Sequence, residues 1–185
     1  MRKAGSNVLF HRNFLGRSCR RLVARGPPGR RTGGDVLQAC GDGHLYRHQN
    51  SQGVLSKIGF NDNVARKDAT FRLQFGLAGK CVSLESVNFP GQYLRHQNFW
   101  IVLAKNDNSP LFKSDATFCT KNPLPMGSQT MFESVNNPGL FISNVGGKLK
   151  ILQSANTGDF RRNATFERRP ATNTNRPDGT AIDPG

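Results

Sequence analysis

Long apolar runs are missing from this chain. Nothing in it approaches the ~20 residues of a membrane-spanning helix. Val8-Leu9-Phe10 falls short of the apolar region of about 7–15 residues that a secretory signal needs. No CxxC pair, HExxH, GxSxG or phosphate-binding glycine loop occurs, which removes the usual signatures of zinc sites, metalloproteases, α/β-hydrolases and nucleotide hydrolysis. Cysteine is scarce: Cys19, Cys40, Cys81 and Cys119 leave three disulfide pairings formally open, and free thiols as well. Amphipathic helical periodicity is also lacking. A hydrophobic content of 36% is low for a helical core but workable for a small all-β fold, and 20 Gly and 10 Pro supply its turns. Acids are absent from residues 1–34, which hold nine Lys and Arg and read as a disordered basic segment. With that segment set aside, the formal charge of +14 shrinks to a mildly basic remainder, so nucleic acid is not the expected partner.

What the chain does have is repetition. Tyr46-Arg47-His48-Gln49-Asn50, followed by Asp68-Ala69-Thr70-Phe71, returns as Leu94-Arg95-His96-Gln97-Asn98 and Asp115-Ala116-Thr117-Phe118. Glu85-Ser86-Val87-Asn88, with Pro90-Gly91, returns as Glu133-Ser134-Val135-Asn136, with Pro138-Gly139, and Asn163-Ala164-Thr165-Phe166 closes the last copy. The spacing is 47 or 48 residues throughout, the mark of a repeat architecture. Short apolar runs alternate with turn residues, about four strands per copy, which predicts an all-β chain closed into a β-trefoil. The expected layout is a basic segment 1–34, a domain 35–170 with copies at about 35–82, 83–129 and 130–170, and a flexible tail 171–185. The first copy has lost the opening motif, since Asp35 to Gly43 does not resemble Ser83 to Gly91. Phe71, Phe118 and Phe166, one ring at the same place in each copy, are expected in the core near a pseudo-threefold axis, with Val87, Val135, Leu103, Leu55 and Ile151.

The Asp that opens each closing motif has two readings. It can hold a turn through nearby backbone amides, or it can accept hydroxyl hydrogen bonds at a pocket floor, as sugar recognition requires. The copies with Asp68 and Asp115 carry His48 and His96, whereas the third has Asn163 and Asn144. That joint presence favours His–Asp pairs: His48 with Asp68, His96 with Asp115. Tyr93 offers a ring face, a hydroxyl or core packing; Arg47 and Arg95 are expected to point outward; Trp100 is either a stacking platform or a partly buried ring.

The pattern Ser-Val-Asn-x-Pro-Gly-x-Tyr-Leu-Arg-His, with Asp-Ala-Thr-Phe, closely resembles the arabinose-binding domain of fungal-type alpha-L-arabinofuranosidase B, a family-42 carbohydrate-binding module. The resemblance covers about Leu45 to Arg169. It implies a β-trefoil whose His and Asp pockets hold arabinofuranose side chains of hemicellulose, an extracellular setting, and a catalytic domain elsewhere. By resemblance, His96 and Asp115 converge on one pocket near Tyr93 and Asn98, and His48 with Asp68 forms another, weakened by the lost opening of the first copy. The expected function is non-catalytic binding of an arabinose-substituted polysaccharide by a monomer, with no catalytic residue, metal, cofactor, nucleic acid or membrane. Two other readings stand beside it: a part of an arabinofuranosidase, and a basic trefoil that binds acidic glycans or proteins through its N-terminal arginines.

Overall fold

Side chains that alternate between buried and exposed along short segments are what a half-buried strand requires, and the chain is built of them. The structure, a computed structural model, describes residues 34–39, 43–59, 61–122 and 129–171. Within these residues one block of elements occurs three times. The first is β1 (Asp35–Ala39), β2 (Leu45–Gln49), β3 (Gln52–Ser56), α1 (Asn63–Asp68) and β4 (Thr70–Phe75). The second is β5 (Val82–Ser86), β6 (Gln92–Gln97), β7 (Trp100–Lys105), α2 (Pro110–Asp115) and β8 (Phe118–Lys121). The third is β9 (Gln129–Ser134), β10 (Leu140–Val145), β11 (Lys148–Gln153), α3 (Gly158–Ala164) and β12 (Phe166–Pro170). The expectations for residues 1–33 and 172–185, and for Cys19 and Cys40, lie outside the described residues.

All strand pairings are antiparallel. Six strands close on themselves in the order β1, β12, β9, β8, β5, β4 and back to β1, a ring that leaves no free edge. The other six form hairpins β2–β3, β6–β7 and β10–β11. The hairpins lock together in a cycle. Leu103 N donates to Ser51 O, Ile151 N to Phe99 O and Leu55 N to Gly147 O, each at 2.8 Å. Their two-residue turns need positive φ at both central positions. Asn50 and Ser51 (50° and 61°), Asn98 and Phe99 (51° and 67°), and Gly146 and Gly147 (58° and 86°) supply it.

Phe71, Phe118 and Phe166 are buried in one core with Leu37, Tyr46, Leu84 and Phe132, and each ring contributes about 1.5–3 kcal/mol by leaving water. Leu103 and Ile151 belong to the same core and Leu55 packs at its margin. Val87 and Val135, expected there, are only half-buried.

Two expectations need correction. The chain does contain helices, although each is only six or seven residues long. Such helices are too short to show a 3.6-residue period. They announce themselves by their caps instead: Asp62, Ser109 and Thr157 side chains accept from the backbone N–H three residues on. The turn residues at 61–63 and 106–108 are therefore helix entrances. The first copy has also kept its opening strand: β1 pairs with β12 and β4 although its motif is gone. A strand needs only alternation and ladder partners, and Asp35 to Ala39 has both.

Candidate functional site

Each closing motif is placed by its helix. Asp68 and Asp115 are the last helical residues of α1 and α2, and the following threonines fix the exit: Thr70 Oγ1 donates to Arg66 O (2.8 Å) and Thr117 Oγ1 to Lys113 O (2.7 Å). The histidines come from the first strands of the hairpins. His96 lies opposite Ile101 on the inward face and is buried, as is His48.

The two pairs meet as expected. His48 Nε2 is 3.5 Å from Asp68 Oδ1, and His96 Nε2 is 3.4 Å from Asp115 Oδ1. What joins them is an asparagine that sequence reasoning assigned only to the opening motif. Asn88 Nδ2 donates to Asp68 Oδ1 (2.7 Å), and its Oδ1 accepts from Ser86 Oγ (2.7 Å) and His48 Nε2 (3.1 Å). Asn136 repeats this with Asp115 (2.7 Å), Ser134 (2.9 Å) and His96 (2.8 Å). A carboxylate only accepts, so the amide must turn its N–H₂ to the Asp and its oxygen to the His. An imidazole facing that oxygen through Nε2 bonds to it through its N–H.

These asparagines also reverse an expectation. Asn88 stands at the opening of the second copy and serves the His and Asp of the first; Asn136 opens the third and serves the second. The lost opening of the first copy therefore does not fall on His48 and Asp68. It falls on the third copy, where Ala39 faces Phe166 as Ser86 faces Phe71 and Ser134 faces Phe118, and brings no hydroxyl. Asn144 there accepts from Gly147 N (2.9 Å) within its own turn, and Asn163 is exposed.

The arginines leave their strands on the face opposite the histidines, as expected, but their side chains are largely covered and turn to the carboxylates. Arg95 Nη2 donates to Asp115 Oδ2 at 2.5 Å, with its guanidinium 5.0 Å above the Phe112 ring. Arg47 Nη1 is looser, 3.8 Å from Asp68 Oδ2, because its other nitrogens donate to Ser56 Oγ and Gln49 Oε1. Asp68 keeps more accepting capacity than Asp115. The rims differ too: the exposed Phe89 ring meets His48 edge-on at 5.3 Å, where the second site has Asn137.

Tyr93 and Asn98 are placed elsewhere. Tyr93 packs with Phe112 and Ala116, and its hydroxyl accepts from Gln74 Nε2. Asn98 is the first turn residue of β6–β7, a role its positive φ accounts for. Among the described residues no group of three His, Cys, Asp or Glu could hold a metal ion. Each site thus converges a carboxylate, a guanidinium, an amide and an imidazole on one small region, an array suited to several hydroxyls of one ligand.

Residues 36–168 match the family described as the alpha-L-arabinofuranosidase B (ABFB) domain. Over 111 residues the chain is 30% identical to alpha-L-arabinofuranosidase B of Emericella nidulans, covering 57% of this chain and 22% of that one. An arabinofuranosidase complexed with arabinofuranosyl-alpha-1,2-xylobiose superposes with a TM-score of 0.65 at 26% identity, over 79% of this chain and 33% of the other. A chain described as the BEL beta-trefoil superposes at a TM-score of 0.56 and 10% identity, over 83% and 99%, a likeness of fold alone. The chain spans less than a quarter of the length of the curated relatives it matches, 22% of the Emericella enzyme.

Proposed function

The chain belongs to the alpha-L-arabinofuranosidase B domain family, and from that premise we propose that it binds arabinofuranose side chains of hemicellulose, as in arabinoxylan and arabinan, without cleaving them. The observation that carries this reading is the duplicated constellation. His48, Asn88, Asp68 and Arg47 recur as His96, Asn136, Asp115 and Arg95, with closely matching Asn–His and Asn–Asp distances and a looser Arg–Asp pair at the first site. Asp68 and Asp115 accept from the sugar hydroxyls while the Asn and His fix their orientation. The arabinofuranosyl-xylobiose held by a solved relative supports the choice of sugar.

In the same reading, residues 35–170 form a β-trefoil whose three copies surround a pseudo-threefold axis. The recurring element order and the cyclic hydrogen bonds between hairpins favour that arrangement. Glycoside hydrolysis uses two carboxylates flanking the scissile bond, and each constellation here contributes one, which argues against an enzyme. Four or five hydrogen bonds at ~1 kcal/mol each, set against the loss of translational freedom, leave roughly −4 kcal/mol, a millimolar site.

Affinity electrophoresis in arabinoxylan, arabinan and unsubstituted xylan tests the proposal. Retardation by the first two alone is expected, and it should be lost in the Asp68→Ala/Asp115→Ala double variant while the thermal melt stays cooperative. Equal retardation by plain xylan, or arabinose released from an aryl arabinofuranoside, would sink it.

A further inference from the structure

Away from the His–Asp constellations, the outer face of the locked hairpins carries a second cluster. Strand β7 alternates, so Ile101 faces inward opposite His96 while Trp100 faces out, 40% exposed. Phe99 beside it is 55% exposed and held at φ 67°, where the third hairpin has Gly147. A bulky residue in the left-handed region is disfavoured, and this one is mostly exposed to solvent, so packing gives little reason for it. Lys150 pairs with Trp100 across the β11–β7 ladder, and its Nζ lies 4.7 Å from the indole centroid; Lys148 Nζ lies at 5.9 Å. Residues 45–56, 92–105 and 140–153, which make up the three hairpins, contain no Asp or Glu. Among the described residues, neither lysine has a carboxylate partner.

We propose that Trp100, flanked by Phe99, Lys148 and Lys150, is a binding site for acidic sugars, a uronic acid unit of a polysaccharide. The indole face supplies a flat platform for the apolar face of a pyranose ring, and the lysines supply uncompensated cations for its carboxylate. An ammonium resting on an exposed indole is only weakly held, so an incoming carboxylate can draw it off the ring. Two cations around one ring match a single charged sugar. Single-stranded nucleic acid instead takes a basic groove that follows its backbone. The choice of a sugar acid over other organic acids rests on the proposed glycan-binding role; the anion site itself does not.

Trp100 is the sole tryptophan of the chain, so its fluorescence reports on this site directly. The full chain is titrated with a glucuronate-substituted xylo-oligosaccharide, its carboxyl-reduced counterpart, an arabinose-substituted oligosaccharide and a single-stranded oligonucleotide. A saturable emission change is expected with the uronate ligand. Its affinity should fall about tenfold in Lys148→Gln/Lys150→Gln, the loss of charge-assisted contacts, and should fall with added salt. Affinity electrophoresis in glucuronoxylan should show Trp100→Ala losing retardation. The Asp68→Ala/Asp115→Ala variant should keep the uronate response, so failure of the arabinose reading would leave this outcome readable. An equal response to the carboxyl-reduced ligand, tighter binding of the oligonucleotide, or no emission change with the uronate ligand would overturn the proposal.

Discussion

Asn136 is the side chain that ties Asp115, Ser134 and His96 to one another. It donates to Asp115 and accepts from Ser134 and His96. Asn136→Ala should therefore loosen Asp115 and His96, which keep Arg95 and Ser134 as partners, lowering affinity for an arabinose-substituted oligosaccharide by roughly 1–2 kcal/mol per site. Asn88→Ala should do the same at the other site. Asn163→Ala, exposed, should change neither binding nor stability by more than about 0.5 kcal/mol; calorimetric titration and thermal melts read all three. Arg95 tests a different property. Its partner Asp115 has a side chain only 7% exposed, so Arg95→Ala strands a buried carboxylate and should destabilise by about 3 kcal/mol in urea unfolding. Arg47→Ala should cost less, since that pair is 3.8 Å apart. The His–Asp pairs were legible because they appear and disappear together between copies. The asparagines were visible in the repeated motif but not assignable, because their contacts reach back 20 and 40 residues into the preceding copy, a distance no local pattern encodes.

Strands were more legible than helices, for a reason of length. Alternation shows within four or five residues, whereas α1, α2 and α3 end before two turns are complete. The disulfide between Cys81 and Cys119 was one open pairing among three, and spacing alone cannot choose among them. It ties the residue before β5 to β8, next to the pairing of Val82 with Phe118, across a sequence separation of 38. Closing a loop of that size restricts the unfolded chain by up to about 4 kcal/mol. The variant Cys81→Ser/Cys119→Ser should accordingly unfold at lower denaturant, with a loss of about 2–4 kcal/mol. An unchanged midpoint would mean that the bridge adds nothing to the ladder already there.

At the scale of the molecule, the number of complete constellations sets what a titration should find. Two are present among the described residues, and the third copy offers Asn144 and Asn163 where the others have His and Asp. Calorimetry with a short arabinose-substituted ligand should give a stoichiometry of two. Removing residues 1–33 should not alter it, because every side chain of both sites lies between Arg47 and Asn136. The closed six-strand ring follows from the pairing register, which repetition predicted in outline. The borrowing of Asn88 and Asn136 from the following copy has a further consequence. Each site is a seam between consecutive copies, and a linear chain of three has only two seams that run through continuous sequence. The third must be sewn by β1 meeting β12, the two ends of the domain, and it is the one left without a carboxylate. A copy cut out alone would carry His and Asp without the asparagine that joins them. The smallest fragment able to keep a finished site is a copy together with the opening strand of its successor and the turn that follows that strand.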